Sequence, residues 1–468
     1  MSAVRPTVHV AKKMGTRLGK REVLFRPLSN IFRSIQVSTL IYWFRNDLRL
    51  IDSPALNKAC REATHLIPVY VLAPEHTTTR WGFERESTHR KQYLTETLAA
   101  LDAQCRELGS RLLVLQGEAA TTLVALAQST QAAGIICEQI AAPEEQAEVE
   151  QLKARGIQVQ SLWQSTMIEP AAMPFTPQQM PDMFTQFRQK LEAKGLRARK
   201  TVSRPQRLPS LPENLQVESV CLKQRLAQLR SQSTEMGRTL AGTAHGLEHL
   251  NHYFADELPH TYKQTRNQLS GTDYSTSFST WLATGALSAP IIVERLTQYE
   301  ATRGANDGTY WIWFELVWRD YFRFLHLKYG RALYLREGLR KSGSTPDATV
   351  LAEPTKGIAQ KLFEQWMQGR TKNALVNAGM HELSATGKMS NRMRQIVASY
   401  LIYDLRIDWR AGAAWFESQL LDYDVYSNQG NWLYIAGLGT DPRGGRRMNM
   451  EKQALEHDPK GLYRKQWA

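Results

Sequence analysis

From Thr39 onward, short apolar runs alternate with stretches of helical periodicity. The runs cover residues 40–44, 66–72, 112–115, 134–137 and 157–162. Each is brief and nearly continuous in apolar character, as strands covered on both faces are. Between the second and third, Leu94, Leu98, Leu101, Cys105 and Leu108 recur at the spacing of one helix face. Strands alternating with amphipathic helices predict an α/β domain with a parallel sheet over residues 38–168. No G-x-G-x-x-G follows the first run, so the common dinucleotide fingerprint is absent.

Residues 169–236 lose this rhythm. Seven prolines (170, 174, 177, 181, 205, 209 and 212) punctuate them, and residues 188–207 hold eight basic residues against one acid. This predicts a connector between domains whose basic charge is mainly solvated. Over residues 237–468 the strand pattern vanishes and helical periodicity dominates, predicting an all-α second domain. Nine of the twelve tryptophans lie there. Such aromatic density builds a core, and it is also what a flat conjugated cofactor or a stacked base requires.

Composition narrows the class. A chain of 468 residues, 42% hydrophobic and 22% charged, is globular rather than disordered, collagenous or coiled-coil. No stretch reaches the ~18 consecutive apolar residues of a membrane span, since even the aromatic run 310–324 is broken by Glu315, Arg319 and Asp320. Cys60, Cys105, Cys137 and Cys221 contain no C-x-x-C, which suggests neither disulfides nor a thiolate metal site and fits a reducing compartment. Of the net charge of +14, half sits in residues 1–36, where eight Lys or Arg face the single acid Glu22. This basic N-terminal extension (1–37) lacks the apolar core of a secretory signal. It reads as a disordered arm or an upstream start on a cytoplasmic protein, with an organellar transit peptide as the alternative. The remainder is still basic, which favours a polyanionic partner such as nucleic acid.

Three constellations carry chemistry. Gly271-Thr272-Asp273-Tyr274-Ser275-Thr276-Ser277-Phe278-Ser279 sets four hydroxyls in five positions ahead of a helix expected near Trp281, as an anion site or an N-cap cluster. A helix over 309–329 puts Trp311, Glu315, Trp318 and Phe322 on one face, so a carboxylate interrupts aromatics. Arg319, four residues on, could pair with Glu315 as helix support. Alternatively the carboxyl, its proton affinity raised by apolar walls, is placed to hydrogen-bond a nucleobase. The third is Asn391-Arg392-Met393-Arg394, Asp408-Trp409-Arg410, Asp422-Tyr423-Asp424 and Asn428-Gln429-Gly430-Asn431-Trp432-Leu433-Tyr434, which with its Gly-Asn-Trp turn resembles a polar cofactor cradle. The eleven histidines show no metal-ligand spacing, and there is no G-x-S-x-G or Walker loop, so no metal is expected.

Trp43-Phe44-Arg45-Asn46-Asp47-Leu48-Arg49-Leu50, Trp318-Arg319-Asp320-Tyr321, the 272–279 loop and Asn431-Trp432 closely resemble the photolyase/cryptochrome family. Met180-Pro181-Asp182-Met183-Phe184-Thr185-Gln186-Phe187-Arg188 and Tyr262-Lys263-Gln264-Thr265-Arg266-Asn267 resemble its DASH-type branch. The resemblance covers Thr39 to Trp467. It implies a Rossmann-like antenna domain and an all-α domain holding FAD. It also implies blue-light-driven electron transfer from reduced flavin to a cyclobutane pyrimidine dimer, in this branch preferably in single-stranded DNA, with RNA a further candidate partner and a monomer expected. Position by position, Tyr262, Ser275, Thr276, Ser277, Phe278 and Ser279 match FAD phosphate and ribityl contacts. Asn391, Arg394, Asp422 and Asp424 match residues around the isoalloxazine and adenine, and Asn428 the residue facing flavin N5. Glu315, Trp318 and Tyr434 match the lesion side, with Asn391 counted among the catalytic set. Trp432 and Trp409, 23 residues apart, match the inner two of three electron-carrying tryptophans.

Two departures follow from the same comparison. The outer tryptophan falls at Lys356, ten residues before Trp366, so the chain of carriers is expected to be broken or rerouted. The acid that holds a folate antenna (5,10-methenyltetrahydrofolate) falls at Ala141, leaving Glu144, Glu145 or Glu148 to substitute. Ser277 stands where the branch has Lys, and Asn377 where it has Asp. The expected activity is an FAD-dependent DNA photolyase, and its rival is a blue-light photoreceptor that binds nucleic acid without efficient repair. The chain's end at Ala468, directly after the last matching motif, favours the enzyme, and the lack of a cysteine beyond Cys221 disfavours iron–sulfur relatives.

Overall fold

The five apolar runs form one parallel sheet in a computed structural model that describes residues 38–232, 240–271, 273–340 and 351–468. The expected basic extension and Thr272 lie outside the described residues. The strands are β1 (Thr39–Trp43), β2 (His65–Leu72), β3 (Leu113–Gln116), β4 (Gly134–Glu138) and β5 (Val159–Leu162), in the order β3-β2-β1-β4-β5. In register, Ile41 lies between Ile67 and Ile135, and Trp43 between Val69 and Cys137. Helices α1 (Pro54–Glu62), α2 (Thr88–Glu107), α3 (Ala119–Thr130) and α4 (Pro143–Ala154) follow the first four strands. Leu56 of α1 and Leu98 and Leu101 of α2 pack with Tyr42 and Ile136, while Leu123 of α3 and Leu152 of α4 pack with Ile41 and Ile67 on the opposite face. That is a doubly wound sheet whose strand order reverses beside β1, the place where such folds open a crevice.

Here the helical half docks beside the reversal point. The N–H of Leu48 donates to Thr284 O at 3.0 Å, and Arg49 Nη1 to Gly285 O at 3.0 Å. A side chain at Gly285, which has φ +74°, would place its Cβ 2.0 Å from Asn46 O, so this close approach requires glycine. The Trp43 to Leu50 motif thus docks the sheet onto the helical half, and residues 38–468 cluster as one compact unit.

From residue 240 on, the regular secondary structure is helical among the described residues. The helix Asp307–Tyr329 runs through the core, started by an Asn306/Thr309 capping box. The connector is more regular than its prolines suggest, carrying helices Phe184–Ala193 and Leu222–Ser231. Part of its basic charge is buried rather than solvated. Arg199 pairs with the fully buried Asp52 at 2.6 Å, because a carboxylate sealed in the core needs a counter-ion. Among the described residues no helix is long and apolar enough to cross a membrane, and no His, Cys, Asp and Glu cluster could hold a metal ion.

Candidate functional site

Three adjoining hollows in the helical half share Asn391 and Ser427. The first, about 250 Å³, is lined by Tyr262, by Ser275, Thr276, Ser277, Phe278 and Ser279, and by Arg394, Asp422 and Asp424. The hydroxyl run does not cap its helix. Ser279–Thr284 is only six residues long, its N-cap position is Phe278, and no side chain caps it, so the hydroxyls are left to the hollow. Asp273 and Ser277 hold left-handed backbones, φ +60° and +51°, conformations that for residues other than glycine concentrate at ligand clamps.

Asp422 and Asp424 are held by charge. Arg394 Nη2 donates to both oxygens of Asp422 at 2.8 and 2.9 Å, and Arg323 pairs with Asp424 at 2.5 Å. Burial alone would raise Asp424, yet the guanidiniums of Arg323 and Arg319 and the donors of Ser427 bring it down to about 2. It is therefore a fixed anion. The segment between them is two-sided. Asp422 and Asp424 line the two inner hollows, whereas Leu421, Tyr423 and Val425 line a separate cavity toward the sheet, and Tyr423 touches both spaces. The second hollow, about 80 Å³, adds Asn428 and Trp432. Asn428 Nδ2 donates to Ala413 O at 3.0 Å, which fixes its amide plane at the wall. Asn431 and Trp432 lie inside the helix Val425–Ala436 rather than in a turn. Gly430 is there because a Cβ would come 2.1 Å from Phe322.

The third hollow, about 490 Å³, is the mouth. Glu315, Trp318 and Tyr434 stand together in it, beside Arg266, Arg319, Arg392, Arg443 and Arg446. Glu315 does not pair with Arg319, contrary to the helix-support reading. Its partner is Arg266 from the helix Leu258–Thr265 and its C-cap, and Arg266 also lies over the Trp311 ring at 4.6 Å. Arg319 is drawn the other way, to Ser165 O at 2.5 Å and Asp320 at 3.8 Å. Burial pushes the Glu315 carboxyl above the ordinary range while Arg266 pulls it back. Although 31% of the side chain is accessible, that surface lies in a walled hollow, so the upward direction holds. Tyr434 accepts from Arg446 at 2.8 Å and Arg443 at 3.1 Å. Sequence reasoning missed these arginines, whose only signal was the basic run Arg443 to Arg447.

Trp432 and Trp409 are both buried. Trp409 opens the helix Trp409–Gln419 and donates its indole N–H to Arg336 O at 3.0 Å, while Trp432 meets the Phe416 ring at 5.1 Å. Lys356 is exposed at the head of the helix Gly357–Met367, just after Ala352 bridges Ile407. Asn377 stands apart from the hollows, binding Thr371 through three hydrogen bonds of 2.7 to 3.0 Å.

The sheet-side cavity, about 390 Å³, lies between the sheet and the helical half and is lined by Arg45, Arg85, Arg90, Glu144, Glu145 and Glu148 among others. Ala141 is not among its lining residues. It is fully buried, and its N–H donates to Tyr426 Oη at 2.8 Å. Glu144, Glu145 and Glu148, the three offered as substitutes, do face this cavity, together with Glu86, Glu118 and Glu417. Burial pushes Glu145 up to about 7 against the pull of Arg45.

Residues 40–213 match the DNA photolyase family, and residues 311–468 the FAD binding domain of DNA photolyase. The chain is 40% identical over 445 residues to cryptochrome DASH of Danio rerio, covering 92% of this chain and 82% of that one. It is 39% identical over 437 residues to cryptochrome DASH, chloroplastic/mitochondrial, of Arabidopsis thaliana, covering 91% and 75%. The crystal structure of a Synechocystis cryptochrome superimposes with a TM-score of 0.83 at 36% identity, covering 92% and 88%. The chain belongs to the photolyase/cryptochrome family, in its DASH-type branch. Its cofactor is FAD, and the recess suits it chemically: hydroxyls for a pyrophosphate and ribityl chain, a guanidinium with two fixed carboxylates, and an amide beside a buried indole.

Proposed function

We propose that this protein repairs cyclobutane pyrimidine dimers under blue light, preferably in single-stranded DNA and as a monomer. The observation that carries the proposal is the direct adjacency of the recess suited to FAD and a mouth that combines a carboxyl whose proton affinity is raised by burial, an aromatic platform and several guanidiniums. When bound and reduced, FAD supplies the photoexcited electron that splits the dimer. Tyr262 and Ser275 to Ser279 hold its phosphate and ribityl portion, while Asn391, Arg394, Asp422, Asp424 and Asn428 orient its rings. Glu315 hydrogen-bonds the flipped lesion's carbonyl edge, stabilising charge that develops there. Trp318 and Tyr434 provide the surface on which the lesion rests. Arg392, Arg443 and Arg446 neutralise flanking phosphates. A dimer is already poorly stacked, so extruding it costs less than extruding an intact base, as for photolyases as a class.

Residues 38–168 would then serve as the antenna domain, 169–236 as the connector and 237–468 as the catalytic domain. Glu145 or Glu148 would meet a folate antenna in the sheet-side cavity, giving the purified protein a near-ultraviolet band beside the flavin bands. Residues 1–37 fused to a fluorescent reporter would separate a cytoplasmic from an organellar address. The test of the function is illumination of the reduced protein with a dimer-bearing oligonucleotide. Restored pyrimidines, formed faster in the single strand than in duplex, are expected. A photoreceptor that binds nucleic acid without efficient repair would instead leave the dimers intact while its flavin changed with light.

A further inference from the structure

Trp318 does not offer both faces of its indole. Phe184, the first residue of the helix Phe184–Ala193, stacks on it with ring centroids 3.6 Å apart and planes 9° from parallel. Phe184 is itself boxed, edge-on to Phe314 at 5.1 Å and to Tyr321 at 5.5 Å, and is 8% exposed. The segment before it is pinned to the helix Asp307–Tyr329. Asp182 accepts from Lys328 and Tyr329, each at 2.5 Å, its carbonyl accepts from Tyr321, and Lys328 also donates to Met180 O at 2.7 Å. Phe184 and Thr185 both line the mouth, so the connector supplies part of the wall around Trp318. Glu315 lies one helical turn from Trp318, on the same side of the helix.

We propose that Phe184 is a positioning residue for substrate recognition: it fixes the plane of Trp318 and closes one face, so that a flat pyrimidine pair stacks only on the other, within reach of Glu315. This rests on the repair reading above. Two rings stacked over their full faces restrain the indole far more than edge contacts do. A rigid platform loses less entropy when a base lands on it. The occupied face also excludes an undamaged base from intercalating behind Trp318.

The test is binding of the FAD-loaded protein to an oligothymidylate with and without one cyclobutane dimer. Phe184→Leu keeps apolar volume and removes the flat stack; Phe184→Tyr keeps the stack. Phe184→Leu is expected to lower the preference for the dimer strand about fivefold, a share of the stacking energy of one base. Its FAD content stays at the wild-type value, its affinity for the undamaged strand falls less than that for the dimer strand, its melting temperature drops by only a few degrees as a trimmed buried ring should, and Phe184→Tyr retains the preference. In a Trp318→Ala background, Phe184→Leu adds no further loss, because it acts through the indole. Wild-type preference in Phe184→Leu, additive losses, or equal loss for both strands would each overturn the assignment. A wild type without any dimer preference would overturn the repair reading and this assignment with it.

Discussion

Glu315 is asked to be charged by Arg266 and neutral by its surroundings, and that balance makes it the most informative single side chain. Glu315→Gln keeps a hydrogen-bonding edge of the same size but loses proton and charge, so FAD content should be unchanged while repair per absorbed photon falls on the order of tenfold. Equal repair in the variant would reduce the carboxyl to a partner of Arg266. Glu138, the last residue of β4, is 2% exposed. Burial and the nearby Asp47 push it up to about 7 against the pull of Arg49, Arg323 and Arg319. Because its folded pKa is raised, its carboxyl favours folding when protonated, and stability falls as pH rises from about 4.3, the free glutamate value, to about 7. Glu138→Gln should therefore gain about 1–3 kcal/mol over wild type at pH 8 and little at pH 4.5 in paired melting curves. A pH-independent difference would contradict the shift. At Lys356 a hole left on Trp409 has no tryptophan to move to at the surface, so photoreduction of oxidised FAD should be slow and Lys356→Trp should speed it. If Lys356→Trp changes nothing while Trp366→Phe or Trp415→Phe abolishes photoreduction, that tryptophan is the rerouted carrier; Trp366 is separated from Trp432 by the Phe416 ring, 6.4 Å from the one and 5.1 Å from the other. Glu315 was legible in the sequence because a carboxylate on an aromatic face is costly without a use. Arg266 was not, since it is 49 residues away and Arg319 occupied the local pairing position.

Among the elements, the turn and helix start at 421–425 separate two spaces, with Asp422 and Asp424 lining one and Leu421, Tyr423 and Val425 the other. Arg90 lies over the Tyr423 ring at 4.9 Å, and Asp422 and Asp424 face the flavin side of the same wall. Tyr423→Ala should shift both carboxylates and speed FAD release severalfold, read as recovery of flavin fluorescence on dilution, without unfolding the sheet. Unchanged release would show that the two sides are independent. The strands were readable to within about two residues because the apolar runs are too short for helices and alternate with longer amphipathic stretches. The Gly430-Asn431-Trp432 run was not, because glycine and asparagine signal a turn locally, whereas here the missing Cβ admits Phe322 against the helix. The hydroxyl run was half readable. Its polar density marked a site, but whether it capped a helix or lined a hollow depended on walls contributed by Asn391 to Asp424, more than a hundred residues away.

At the scale of the molecule, the fold gathers in one recess residues that the chain spreads from Phe184 to Arg446, and it sets Arg392, Arg443 and Arg446 around the hollow that holds Trp318 and Tyr434. Single-strand binding should weaken with salt at a log-log slope of about −0.7 per phosphate neutralised, and Arg443→Gln should flatten that slope without altering the preference for a dimer. A salt-independent affinity would mean that the rim does not meet phosphates. The sheet was recognisable from its own pattern, but its docking through Leu48, Arg49 and Gly285 was not, because contacts across more than two hundred residues leave no local periodicity. The central claim is that the carboxyl and aromatic platform at the mouth are used on a pyrimidine dimer by light. The most direct measurement is the yield of restored pyrimidines per absorbed blue photon on a single-dimer oligonucleotide, with FAD chemically reduced beforehand so that photoreduction is bypassed. Dimer splitting that requires light and drops sharply in Glu315→Gln is the predicted result. Intact dimers under illumination, with reduced FAD and DNA both bound, would contradict it.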